Sequence, residues 1–201
     1  MKLALLGTGM IVTEVLPVLT TIEGIELEAI LSTPRSLDKA EALAKQYGLS
    51  QATSDYEAIL SNPEVDTIYV GTPNHTHYNY AKKALLAGKH VICEKPFTLH
   101  LEEFEELIKL AQEKELLLIE AITNQYLDNF KVIKDSLSEI GLTLNGQEET
   151  VINLNSPKHR MYDEFVAFEK MIATMDFENV SKQLEHSHQV MEVLDQASKV
   201  L

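Results

Sequence analysis

The sequence predicts an α/β fold, a doubly wound parallel sheet over residues 1–141, followed over 142–201 by a hairpin and two helices. Three observations carry this. Short apolar runs alternate with amphipathic stretches from Met1 to about Gly141. The runs are continuous and rich in β-branched residues, as strands covered on both faces must be. A glycine-bearing turn joins the first run to the first amphipathic stretch.

The elements follow in order. "KLALLG" reads as a strand ending in glycine, and "MIVTEVLPVLTTI" as the helix after it. "IELEAIL" is a second strand, and "SLDKAEALAKQYG" a helix closed by Gly48. "VDTIYVGT" and "KHVICEK" are two more strands, each followed by a helical pattern. In the second of those helices Leu101, Phe104 and Ile108 share one face, and the glutamates of "EEFEELIK" form the solvated one. "LLLIEA" is a further strand, leading into a helix with Tyr126, Phe130, Ile133, Leu137 and Ile140 along one side. Beyond Gly141, "LTLNGQEETVINL" centres on Asn145-Gly146, the signal for a two-residue hairpin turn. Met161, Phe165, Phe168, Ile172 and Met175 form one apolar helical stripe, and Leu184, Met191, Leu194 and Leu201 another.

Composition narrows the class. Hydrophobic residues make up 45% of the 201, yet no apolar run approaches the roughly 20 residues that span a bilayer. Gly7 and Gly9 interrupt any leader-peptide core. Cys93 is the only cysteine, so no internal disulfide forms, and a cytoplasmic location is expected. A net charge of −14 argues against nucleic acid and anionic membrane as partners. His75, His90, His100, His159, His186 and His188 have no spacing with acids or thiols that suggests a metal site, and none is expected.

"GTGMIV" stands between strand and helix, the context of a dinucleotide fingerprint. Gly7 permits a tight turn, Gly9 lets the backbone next to Thr8 approach a pyrophosphate, and the amides of Met10 and Ile11 at the helix start would hold its charge. Val12 replaces the third glycine, so the motif alone also reads as a plain turn. At the end of the second strand, "LSTPRS" has Ser32, Arg35 and Ser36 where an acid would hold the ribose hydroxyls of NAD. A hydroxyl and a guanidinium suit a 2′-phosphate, which favours NADP with NAD as the alternative. Arg35 also reads as a surface residue at a helix start.

The segment "VDTIYVGTPNHTHYNYAKKALLAGKHVICEKPFTL" resembles the glucose–fructose oxidoreductase/inositol dehydrogenase (Gfo/Idh/MocA) family, from "TPN" through "HTHY" and "ALLAGKHV" to "EKP". The resemblance runs from the first strand to about Gly141. "HRMYDEFVAFEKMI" and "LEHSHQVMEVLDQA" resemble that family's closing segment. It implies a Rossmann domain, a nicotinamide cofactor and a small-molecule substrate. Lys95 would be catalytic, with its ammonium between nicotinamide and substrate, and Glu94 would bond the nicotinamide ribose. Pro96 would aim Lys95, and Thr72, Pro73, Asn74 and His77 would line the cofactor. Cys93 reads as a buried small apolar residue.

The same resemblance implies a second domain with an acid–base histidine, which would need on the order of 100 residues. Here "DSLSEIG" passes directly to "LTLNGQEE", and no histidine stands in the expected surroundings, so the resemblance makes residues 142–201 a truncated remnant of that α+β domain, through deletion of a large internal segment or its absence from the sequence as read. The apolar stripes of the last two helices must therefore find the remaining sheet, each other or another copy. A homo-oligomer or a loose carboxyl-terminal third is expected. Two functions follow: an NAD(P)-dependent oxidoreductase acting on a sugar, polyol or related hydroxyl compound, or a non-catalytic NAD(P)-binding protein.

Overall fold

The computed structural model describes residues 1–126 and 158–198. Strands β1 (Lys2–Leu6), β2 (Glu26–Leu31), β3 (Gln51–Thr53), β4 (Thr67–Val70), β5 (His90–Glu94) and β6 (Leu118–Ala121) form one sheet. Its order is β3-β2-β1-β4-β5-β6, and every pairing is parallel. Helices α1 (Met10–Leu19), α2 (Leu37–Tyr47), α3 (Tyr56–Leu60), α4 (His77–Leu86) and α5 (Leu101–Glu113) connect the strands. The doubly wound sheet expected from the sequence is the one present.

The central strands are buried along their middles, with Leu3, Leu5, Ile68, Tyr69, Val91 and Ile92 at zero exposure. Each fully buried aliphatic side chain stabilises by roughly 1.5–3 kcal/mol. Helix α1 ends at Leu19, short of the expected Ile22, because the hydroxyls of Thr20 and Thr21 turn back onto the carbonyls of Pro17 and Val18. Gly48 closes α2 in the left-handed conformation, as its sequence position predicts. Strand β3 and helix α3 are additions to the sequence reading. "QAT" is a three-residue edge strand with no apolar run, and α3 is a single capped turn in which Asp55 accepts from the Glu57 amide.

The stripes of α6 (Tyr162–Thr174) and α7 (Phe177–Ser198) find the sheet and each other. Met161, Phe165 and Phe168 are fully buried. Edge-to-face aromatic contacts run from Tyr69 of β4 through Phe165 and Phe168 to Tyr126, with centroids 5.3–5.5 Å apart. Helix α7 lies over α5 and β6, its buried stripe passing through Val180, Leu184 and Met191. Two expected stripe members do not join. Met175 ends α6 in a left-handed turn and is exposed, and Leu194 is 55% exposed. Residues 158–198 are docked on the rest of the described chain. The boundary at 141, the helix through Phe130 to Ile140, the hairpin at Asn145-Gly146 and Leu201 lie outside the described residues.

Candidate functional site

Register places the expected site residues in one row. Leu6 pairs with both Leu31 and Val70, Val70 with Cys93, and Glu94 with Ala121. The next position along each strand is Gly7, Ser32, Gly71 and Glu94, so these lie side by side at the carboxyl edge of β1, β2, β4 and β5. The strand order reverses between β1 and β4, and open α/β sheets bind ligands in the crevice there.

Gly7 has φ +108°, and a Cβ there would sit 2.9 Å from the Gly71 carbonyl oxygen, so only glycine fits the turn. A Cβ on Gly9 would meet nothing within 4 Å, which leaves the backbone open to a ligand at the start of α1. The first amides of that helix, at Met10 and Ile11, have no intrahelical acceptor, and its first turn carries no acid. Val12 stands where the fingerprint has its third glycine, and the room it needs comes from the opposite side. A Cβ on Gly71 would lie 2.7 Å from Val12 Cγ2. The missing glycine has moved to the partner strand.

A cleft of about 310 Å³ opens in front of this loop, lined by Gly7–Gly9, Leu31–Thr33, Ser36, Gly71–Pro73, Thr76 and Tyr80. No acid lines it, on a chain of net charge −14. Its β2 side offers the hydroxyls of Ser32, Thr33 and Ser36, with the exposed Arg35 beside them. One helical turn after Arg35, Lys39 donates to the Thr8 carbonyl, which holds a second cation over the glycine loop. The residues fit a nucleotide carrying several phosphates.

At the other end of the row, Glu94 is half-buried and accepts from the Tyr69 hydroxyl at 2.7 Å. Burial, then the Glu94 charge, pushes the Tyr69 hydroxyl well above its ordinary pKa, so it stays a donor and fixes Glu94. Lys95 is exposed, and the Lys95–Pro96 peptide is cis. The chain after it is held by the Phe97 amide on Glu120 at 3.0 Å. Cys93 is fully buried, and burial raises its thiol pKa, in keeping with an inert core residue.

His77 has a different place from the one the resemblance implies. It is fully buried, with Nε2 2.8 Å from the Thr72 carbonyl oxygen and Nδ1 3.0 Å from that of Pro96. It ties the loop after β4 to the loop after β5 and does not face the cleft. Thr72, by contrast, lines the cleft and pairs its hydroxyl with Thr76 at 2.8 Å; Pro73 lines it too and is exposed, and Asn74 is exposed but outside the lining. Tyr69, Gly71, Lys39 and a buried carboxyl on α6, Glu164, went unnoticed in the sequence. Lys39 alone had a usable signal, its helical spacing of four from Arg35.

A glycine turn into a helix at the switch point of a six-stranded parallel sheet, with a charged pair at the end of β5, defines a dinucleotide-binding domain. Residues 1–122 match the family model described as the Gfo/Idh/MocA oxidoreductase family, NAD-binding Rossmann fold. The chain belongs to that family. It is 34% identical over 140 residues to the scyllo-inositol 2-dehydrogenase (NADP(+)) IolU of Bacillus subtilis, a match covering 70% of this chain and 42% of that protein. It is 33% identical over 119 residues to the 1,5-anhydro-D-fructose reductase of Ensifer adhaerens, covering 58% of this chain and 34% of that one. Among solved structures, the 3-ketoreductase KijD10 of Actinomadura kijaniata, crystallised with TDP-benzene and NADP, superposes with a TM-score of 0.64 at 31% identity. That alignment covers 69% of this chain and 43% of KijD10. The chain thus spans well under half the length of these relatives.

Proposed function

We propose that this chain is the cofactor-binding part of an NADP-dependent oxidoreductase that moves a hydride between nicotinamide and a carbon bearing oxygen in a sugar, polyol or related compound. The observation that carries it is the row at the sheet edge: an acid-free, hydroxyl-lined cleft at one end and, at the other, Glu94 fixed by Tyr69 with Lys95 next to it. The relatives named for NADP, inositol and anhydrofructose support the same reading.

When bound, the cofactor would accept a hydride as NADP or supply one as NADPH. The rest falls to the protein. Gly7, Thr8, Gly9 and the amides of Met10 and Ile11 hold the pyrophosphate. Ser32, Arg35 and Lys39 hold the 2′-phosphate, and Thr72, Pro73 and Asn74 line the stretch beyond. Glu94, fixed by Tyr69, accepts from the nicotinamide ribose hydroxyls. Lys95 places its ammonium on the substrate oxygen and stabilises the negative charge that develops there. The substrate pocket, the homo-oligomeric state and the cytoplasmic location belong to the same proposal.

The test has two arms. In fluorescence titration NADPH binds at least about ten times tighter than NADH, and equal affinities would sink the 2′-phosphate assignment. In assays on a polyol and sugar panel, Lys95→Ala lowers kcat by about 100-fold or more while NADPH affinity stays within about threefold. Unchanged turnover in that variant removes Lys95 from catalysis. Tight cofactor binding with no turnover by the unaltered chain establishes the non-catalytic alternative for the chain as it stands.

A further inference from the structure

Helix α6 carries a carboxyl to the sheet edge that the roles above do not use. Glu164 has no exposed surface. Its Oε2 accepts from Thr123 Oγ1 at 2.9 Å, while Oε1 is buried with no hydrogen-bond partner among the described residues. A lone buried carboxylate oxygen is costly, whereas a protonated carboxyl relieves much of that cost. Burial raises its pKa to about 8, with Glu94 pushing further up and the Thr123 hydroxyl, Arg160 and Lys95 pulling down. The groups around it come from every neighbouring element. Glu94 and Lys95 stand at the end of β5, and Tyr69 of β4 gives its hydroxyl to Glu94. Thr123 and Tyr126 follow β6, with the Tyr126 hydroxyl on Gln183. Arg160 precedes α6 and is shared with Glu14 of α1, which also meets His159 at 3.3 Å.

We propose that Glu164 sets the charge at the Glu94 end of the sheet-edge row, where the nicotinamide would lie: neutral, it seats α6 on Thr123, and ionised, it adds a negative charge near Glu94 that favours the cationic oxidised nicotinamide over the neutral reduced one. The proposal rests on the NADP reading above. It deepens that reading by giving the carboxyl-terminal helices a part in choosing between the two redox forms. A unit charge in a partly buried site acts over several ångströms. The 2′-phosphate and pyrophosphate are common to both forms, so their titration cancels in the ratio of affinities.

Calorimetric titration of NADP and NADPH between pH 7 and 9 reads this ratio directly. In the unaltered chain the oxidised form gains roughly sixfold over the reduced form across that interval, equivalent by linkage to a Glu164 pKa about one unit lower in the oxidised complex. In Glu164→Gln the ratio stays flat. Thr123→Val, which removes the donor that favours the carboxylate, moves the midpoint to higher pH and serves if the glutamine variant does not fold. A ratio independent of pH in the unaltered chain, the same slope in Glu164→Gln, or a midpoint unmoved by Thr123→Val overturns the proposal while leaving the NADP reading intact. Failure of both forms to bind overturns the two together.

Discussion

Val12 and Gly71 show how a side chain can be judged only with its neighbour. In the one-dimensional motif Val12 is a defect, because the third glycine allows the helix to lie close to the sheet. In three dimensions the same closeness is obtained by removing the Cβ from Gly71, which would otherwise sit 2.7 Å from Val12 Cγ2. Gly71→Ala is therefore expected to destabilise by about 1–3 kcal/mol, the usual cost of overpacking. Adding Val12→Ala should return part of that, giving a coupling of about 0.5–3 kcal/mol in a double-mutant cycle followed by urea unfolding. Strictly additive costs would mean that the two residues do not share the space. Tyr69 Cε1 and Ile11 Cγ2, at 3.2 and 3.3 Å from the same point, set a limit on how complete the rescue can be.

Helix α6 is the element that converts a sheet with two trailing helices into one packed unit. Phe165 is fully buried and stacks edge-on against both Tyr69 and Phe168. Phe165→Ala should cost about 3–5 kcal/mol and release α6, seen as fast amide exchange over residues 162–174 with the strands still protected. Protection of α6 equal to that in the unaltered chain would show that the aromatic contacts are not what holds it. The stripe through Met161, Phe165, Phe168 and Ile172 was legible because helical periodicity survives whatever the helix packs on. Its partner was not, since nothing in a single stripe distinguishes this sheet from another copy. The elements that escaped notice have a shared cause. Strand β3 is three residues at an edge and α3 a single turn, both too short for a period to show. The cleft divides in the same way. Gly7, Gly9, Ser32, Glu94 and Lys95 sit in local motifs at strand ends, while Lys39, Tyr69 and Glu164 act through contacts 25 to 41 residues apart. His77 was legible as a motif member, but a motif does not say which way a ring points, and here both ring nitrogens meet backbone carbonyls.

At the scale of the whole molecule, charge and burial meet in the response to pH. The chain carries −14 at neutrality, so alkaline conditions already add self-repulsion to the compact state. Glu164 adds a specific component. Its folded pKa, about 8, lies above the ordinary glutamate value of 4.5, so between those values the folded chain holds a proton that the unfolded chain has released. Stability from this group is complete below about pH 4.5, declines as pH rises through that window, and levels off above about 8. At 1.36 kcal/mol per pKa unit the whole decline is bounded by about 5 kcal/mol. Glu164→Gln keeps the shape and removes the proton, so its stability relative to the unaltered chain should climb steadily from pH 5 to 8 and then stay constant. Subtracting the two urea-unfolding curves cancels the self-repulsion common to both. A difference independent of pH would mean that Glu164 is ionised in the folded chain throughout, held by Arg160 and Lys95 more strongly than its burial opposes.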